Sequence, residues 1–237
     1  MVLRGIRIAE AGVRFPPGPP EMKVMNEIKE VHSKDYYFGQ KYSNYSDYNC
    51  FDNDRYWKPE IQTIKKYNLH GKILDIGCAF GFFLKRASPF FQELYGLDIS
   101  QFAIEEAKKL NPTTNFQVFD LDKQPVPYPD LYFDLITAFD VLEHTQSIKD
   151  SLGKIVPKLK TGGFFICSVP LLDTWAGKIF HIFDKDVTHV SVPKKQDIIK
   201  QIKEAGLTIL EYRLYLNLPF VKMPGIPVVM ELITKKT

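Results

Sequence analysis

From Gly71 onward, short apolar runs alternate with amphipathic stretches, and this alternation predicts a succession of strands and helices. Lys72–Ile76 reads as a first strand, and Phe82–Ala87 opens a helix. Glu93–Leu97 is a second strand that runs into Asp98. Ser100 is placed to cap the next helix, which carries Glu105 and Glu106 early and Lys108 and Lys109 late, the polarity that suits the helix dipole. Asn115–Phe119 and Phe133–Ala138 read as the third and fourth strands, separated by a loop with Pro125, Pro127 and Pro129. Ser147–Leu159 is amphipathic, and Thr161-Gly162-Gly163 turns the chain into a fifth strand, Phe164–Val169. Lys194–Ala205 has Ile198, Ile199 and Ile202 on one face and is closed by Gly206. Leu207–Leu214 and Pro227–Thr234 complete a predicted set of seven strands. Repeated strand–helix units imply an α/β fold, a doubly wound, mostly parallel sheet with helices on both faces. Ligands of such sheets bind at the carboxyl ends of the strands, so the chemistry is expected just after Ile76, Leu97, Phe119 and Ala138.

The first 70 residues follow a different pattern. Residues 1–24 are basic and contain the run Phe15-Pro16-Pro17-Gly18-Pro19-Pro20, without the apolar core of a secretory signal. They are expected to be a disordered leader, or to precede a true start at Met22 or Met25. Residues 25–70 carry nine aromatics between Tyr36 and Trp57, too many for a linker. The segment reads as a helical, aromatic cap docked on the main domain, 71–237, where it can shape a substrate pocket. Within that domain the stretch 171–193 is too long for a plain connection and is expected to be a substrate-side insertion.

Composition narrows the function classes. A net charge of +3 over 237 residues is too mild to imply a nucleic-acid partner. No stretch reaches the roughly 18–20 apolar residues that a membrane span needs; the best, Thr161–Leu172, is short and contains Pro170. Cys50, Cys78 and Cys167 are odd in number and far apart, which gives neither a disulfide framework nor a zinc spacing. A reducing, cytoplasmic setting and no metal are the expectation.

The chemistry is carried by the strand ends. The first turn reads Asp75-Ile76-Gly77-Cys78-Ala79-Phe80-Gly81. Its glycines permit close backbone approach to a ligand, but Ala79 and Phe82 break the dinucleotide fingerprint. Asp75 would also repel a pyrophosphate and would tolerate a cationic ligand. Asp98 can accept from both hydroxyls of a ribose, Asp120 from an exocyclic amine, and Leu121 can cover a ring face. An ammonium, a ribose diol and an aminopurine occur together in S-adenosylmethionine.

Taken jointly, Asp75–Gly81, Gly96-Leu97-Asp98-Ile99-Ser100, Phe119-Asp120-Leu121, Phe133-Asp134-Leu135-Ile136, Phe139-Asp140-Val141-Leu142-Glu143-His144 and Leu159–Gly163 resemble the class I S-adenosylmethionine-dependent methyltransferases. The resemblance covers roughly residues 70–215. It implies a seven-stranded Rossmann-like sheet and S-adenosylmethionine as cofactor. It further implies that Asp75, Gly77, Cys78, Ala79 and Gly81 line the methionine portion, and that Asp98 holds the ribose and Asp120 the adenine amine. Ile99 and Leu121 would sandwich the adenine, with Phe139 and Asp140 beside the sulfonium. Asp186–Val190 and Glu204–Leu207 resemble a small-molecule branch similar to quinone-biosynthesis enzymes. The tyrosines from Tyr36 to Tyr45 resemble methyltransferases acting on sugars or glycans. The acceptor is accordingly expected to be a small molecule, lipid or glycan.

Transfer from an activated methyl is mainly a matter of alignment, and a base matters only where the acceptor must lose a proton. His144, after the fourth strand, and His189, in 171–193, are the candidate bases. Two other readings are kept: a cofactor-binding but non-catalytic scaffold protein, and a nicotinamide-dependent oxidoreductase. No Asn-Pro-Pro-Tyr-like tetrapeptide follows the fourth strand, where Phe139–Leu142 stands instead.

Overall fold

The computed structural model describes residues 33–39, 43, 46–183, 186, 188–218 and 220–237. The expected leader, 1–24, lies outside the described residues. Two cap helices come first, α1 (Lys34–Phe38) and α2 (Asp54–Lys66). Asn53 caps α2 by accepting the N–H of Tyr56 at 2.8 Å, satisfying one of the orphan donors of a helix start. The buried face of α2 is Tyr56, Trp57, Glu60, Thr63 and Ile64, the spacing of a helix packed along one side.

The domain that follows alternates β1 (Lys72–Ile76), α3 (Phe82–Ala87), β2 (Glu93–Asp98), α4 (Gln101–Leu110), β3 (Asn115–Val118), β4 (Phe133–Phe139), α5 (Ile148–Ile155) and β5 (Leu159–Pro170). Then come α6 (Trp175–Phe183), α7 (Lys195–Glu204), β6 (Leu207–Leu218), β7 (Val221–Pro224) and β8 (Val229–Lys236). Ser100 and Ser147 cap α4 and α5 through their side-chain oxygens. The sheet order is β3-β2-β1-β4-β5-β8-β6-β7. The pairs among β1–β5 are parallel. Those involving β6, β7 and β8 are antiparallel.

Among the described residues the sheet therefore has eight strands rather than seven, and its second half is antiparallel rather than continuing a mostly parallel pattern. The additional strand, β7, forms a hairpin with the end of β6. Prolines at 219 and 224 hide it in the sequence, yet an edge strand tolerates proline because one side of its backbone needs no partner. The segment 171–193 contains a helix, α6, that was not expected. Asp120 lies two residues beyond the end of β3 rather than on it.

The period of two along each strand divides the core between the two sheet faces. Ile73 of β1 faces α3, α4 and the aromatic cap, in one cluster with Phe83, Ile104, Trp57 and Tyr37. Leu74 and Ile76 face α5 and α7, in a second cluster with Leu152, Ile198 and Ile202. Asp75 thus shares the face of Ile73, toward the cap. The sheet is covered on both sides, as the sequence pattern implied, and the cap forms part of one cover.

Candidate active site

The turn after β1 makes the floor of a cleft at the strand ends. Gly77 and Gly81 have φ of 69° and 74°, in the left-handed region where glycine carries no Cβ penalty. Glycine at 77 is also a matter of space, because a Cβ there would lie 2.2 Å from the Cγ2 of Val141. Gly77 and Cys78 both donate their N–H to the carbonyl of Leu97, at 2.7 and 3.0 Å, which folds the turn against the end of β2. Ala79 is held at φ 45° although it has a side chain.

The three strand-end aspartates are placed differently. Asp98 lines the cleft and is 8% exposed. Its carboxylate accepts the N–H groups of Ala79 and Ser100, each at 2.8 Å, so its orientation is fixed from two sides. Asp120 lines the cleft farther out, 2.7 Å from the Lys123 ammonium, and accepts the N–H of Asp122. Asp75 lies beneath the turn, 3% exposed, and accepts from the Thr137 hydroxyl at 2.7 Å. Burial pushes its carboxyl up to about 7; the Thr137 bond opposes the rise and the nearby Asp98 charge adds to it.

Phe139 and Asp140 follow at the end of β4. Asp140 adopts φ 52°, a conformation that aspartate tolerates better than most residues. It accepts from Ser168 Oγ at 2.7 Å and from Asn217 Nδ2 at 2.9 Å. Asn217 in turn accepts from the Tyr56 hydroxyl at 3.2 Å, so the cap, β5 and β6 all bear on one carboxylate.

The opposite wall is aromatic and comes from the cap. Tyr36, Tyr37, Tyr48, Phe51, Tyr56 and Trp57 line a cleft that encloses about 1120 Å³, part of it open to solvent. Burial pushes the phenols of Tyr37 and Tyr48 well above their ordinary pKa, and the Asp98 charge adds to this. These phenols are therefore neutral donors at any physiological pH. Behind Tyr56, Trp57 and Phe139 sits the buried ammonium of Lys222, 4.8 to 5.5 Å from the three ring centroids. It is ion-paired with Glu60 of α2 and lies 3.9 Å from Glu231 of β8, which also pairs with Arg213 at 2.9 Å. Burial alone would lower the Lys222 pKa; the two carboxylates raise it instead.

His144 stands at the rim, in the short turn Leu142–His144 after β4. Its Nδ1 meets the Thr188 carbonyl at 3.2 Å and the Thr188 hydroxyl at 2.7 Å. Thr188 is held by Asp186, whose carboxylate also accepts from the Tyr36 hydroxyl at 2.8 Å. His189 lies beside His144, ring centroids 4.9 Å apart.

Of the residues singled out in the sequence, Gly77, Ala79, Asp98, Ile99, Asp120, Leu121, Phe139, Asp140 and His144 line one cleft. Cys78 and Gly81 shape the turn from beneath it and Asp75 supports it; none of the three is among the lining residues. Thr137, Ser168, Asn217 and Lys222 carry no local signal in the sequence. Each is a polar residue inside a strand, with its partner far along the chain.

Known proteins resemble this chain over most of its length. A family profile described as a methyltransferase domain matches residues 51–212. An uncharacterized protein of Methanocaldococcus jannaschii is 27% identical over 175 residues, which cover 71% of this chain and 78% of that protein. The mitochondrial ubiquinone biosynthesis O-methyltransferase of Schizosaccharomyces pombe is 32% identical over 104 residues, 41% of this chain and 37% of that one. The chain thus matches little more than a third of that curated relative's length. A crystal structure of an S-adenosylmethionine-dependent methyltransferase from Clostridium acetobutylicum superposes with a TM-score of 0.62 at 17% identity, over 90% of this chain and 99% of that one. Among the described residues no helix is long and apolar enough to cross a membrane. The domain match and the strand-end cleft together make the chain a member of the class I S-adenosylmethionine-dependent methyltransferases, an enzyme family that takes its methyl group from that cofactor.

Proposed function

We propose that the cleft aligns a small-molecule, lipid or glycan acceptor with the methyl group of S-adenosylmethionine held along the strand ends. One observation carries this reading. A single cleft has the first turn and two acceptor carboxylates on one side, and the aromatic cap on the other. The cofactor fits this donor set, because the carboxylates at 98 and 120 both line the cleft and Asp98 is held in place by the N–H groups of Ala79 and Ser100. In this reading Asp98 takes the ribose hydroxyls and Asp120 the adenine amine, with Ile99 and Leu121 against the two faces of the ring. Gly77, Cys78, Ala79 and Gly81 shape the bed of the methionine portion, and Asp75 supports that bed from below. Phe139 and Asp140 stand beside the sulfonium.

The bound cofactor supplies an electrophilic methyl group. The remaining work falls to the protein. The cap excludes water and orients the acceptor, and alignment of this kind contributes roughly 7–11 kcal/mol to lowering a barrier. Where the acceptor is a hydroxyl or an amine, His144 at the rim is the group placed to handle its proton, with His189 beside it as the second candidate. The Nδ1 of His144 donates to the Thr188 carbonyl, which leaves the basic lone pair on Nε2. Relatives named for methyl transfer to oxygen and to nitrogen support a hydroxyl or an amine acceptor.

The test is calorimetric titration with S-adenosylmethionine and S-adenosylhomocysteine, repeated on Asp98→Asn. A charge-assisted bond to a ribose hydroxyl is worth about 1.5–3 kcal/mol, so affinity is expected to fall about 10- to 100-fold. Equal affinity for the variant would remove Asp98 from the cofactor site. Acceptor screening then begins with quinone precursors, glycans and lipids.

A further inference from the structure

We propose that Glu143, His144 and His189 form a binding site for a divalent transition-metal ion at the acceptor end of the cleft. One ligand atom from each of the three lies within 4.8 Å of the other two. The Glu143 carboxylate is fully buried, and its Oε1 is 4.0 Å from His144 Nε2. Ligands on an ion with bonds of about 2.0–2.2 Å stand roughly 3–4 Å apart, so a small side-chain rotation closes the set.

Two further features are those of a ligand set rather than of a chance cluster. The first is orientation. Metal-binding imidazoles almost always engage their second ring nitrogen with a carbonyl, carboxylate or water, which fixes the ring. His144 does so, with its Nδ1 on Thr188, and Thr188 is held by Asp186. Its Nε2 is the nitrogen turned toward Glu143. The second is backbone stitching. The carbonyl of Glu143 accepts the N–H groups of Val190 and Ser191, at 2.9 and 2.8 Å. The segment bearing His189 is thereby fastened to the turn bearing the other two ligands, although the two are more than forty residues apart.

Two imidazoles and one carboxylate suit first-row divalent ions and leave coordination positions open. His144 is the member that lines the cleft, so those positions face the acceptor. What the ion would do there rests on the methyl-transfer reading; whether it binds does not. Its charge would anchor an acceptor oxygen and lower the pKa of the hydroxyl that takes the methyl. With the ion bound, the two imidazoles are its ligands and no longer act as bases: the hydroxyl proton passes to solvent, the carbon–sulfur bond breaks and a carbon–oxygen bond forms, with no change in the ion's oxidation state. The acceptor class is thus an oxygen nucleophile with an ionisable hydroxyl.

The experiment is a Co²⁺ titration of the full chain, stripped with chelator and carrying no histidine tag, followed by visible absorption and by elemental analysis after gel filtration. One ion per chain with visible ligand-field bands is expected. His189→Ala should abolish the bands, and Thr188→Val, which loosens only the His144 support, should weaken binding about 10- to 100-fold. S-adenosylhomocysteine titration of the same variants reports that they are folded and is expected to be unchanged. Absence of saturable Co²⁺ binding by the parent, or parent-like binding by His189→Ala, would overturn the assignment. Failure of the parent to bind S-adenosylhomocysteine would instead strike at the cofactor roles and leave the metal result standing.

Discussion

Asn217, near the end of β6, donates to the carboxylate of Asp140 at 2.9 Å, joining residues 77 positions apart. With Tyr56 on its other side and Ser168 on Asp140, it forms a polar bridge from cap to sheet behind the cleft. Asn217→Leu removes two of these bonds while filling similar space. Unfolding in urea is expected to show a loss of about 1–3 kcal/mol, the cost of stranding a charged acceptor's partner in a half-buried site. In the proposed reading turnover should fall while affinity for S-adenosylhomocysteine is kept, since Asp98 and Asp120 are untouched and that product lacks the sulfonium charge beside Asp140. A variant as stable and as active as the parent would show that the bridge carries no weight.

Ala79 offers a test of backbone strain. An L-residue in the left-handed region carries a penalty of roughly 1–2 kcal/mol, which glycine would remove. Glycine also adds freedom to the unfolded chain, at a cost of about 0.4–1 kcal/mol. Ala79→Gly is therefore expected to raise the unfolding free energy by up to about 1.5 kcal/mol, and Ala79→Val to lower it. Destabilisation by glycine would mean that the methyl group's packing outweighs the strain.

Asp75 makes stability depend on pH. Its folded pKa, about 7, lies above its ordinary value of 3.8. Between these two values the folded chain holds a proton that the unfolded chain has released, so stability falls as pH rises through that window and is flat beyond it. The total is of the order of a few kcal/mol. Asp75→Asn keeps an acceptor for Thr137 but cannot ionise, so the slope of stability between pH 4 and 7 should flatten by that amount. An unchanged slope in denaturant titrations across this range would contradict the assignment.

Lys222 is the buried one of two cations in a cluster with Glu60, Glu231 and Arg213. Lys222→Met leaves two buried carboxylates with one cation between them, and such a loss typically costs about 3–5 kcal/mol. Replacing Glu60 as well, in Lys222→Met/Glu60→Gln, should restore part of it. Thermal unfolding of parent, single and double variants forms the comparison. If the double variant is less stable than the single, the cost was lost packing against Tyr56 and Trp57, not uncompensated charge.

The parallel half of the fold was legible because its signals are local. Apolar runs of four or five residues mark β1 to β4, and Ser100 and Ser147 mark helix starts by their own side chains. The cleft was legible for the same reason: Asp98, Asp120 and Asp140 stand at fixed short distances from strand ends. What escaped was non-local or had no periodicity. α6 presents apolar residues nearly all round, Trp175, Ile179 and Ile182 outward and Ala176 inward, so no single face announces it. Lys222 sits in an edge strand, where a lysine ordinarily belongs to the surface. Only the pairing of β7 with β6, beside α2, places it among four rings and two carboxylates.

The cap that precedes the sheet in the chain is fastened to the β6–β7 hairpin that follows β5, through Glu60 with Lys222 and Tyr56 with Asn217. Synthesis runs from one to the other. When β1 to β5 have left the ribosome, the turn and the strand-end carboxylates can already be in place, while the aromatic wall still lacks the cation and the amide that hold it. The half that carries the strand-end carboxylates can thus form before the half that carries the aromatic wall is closed.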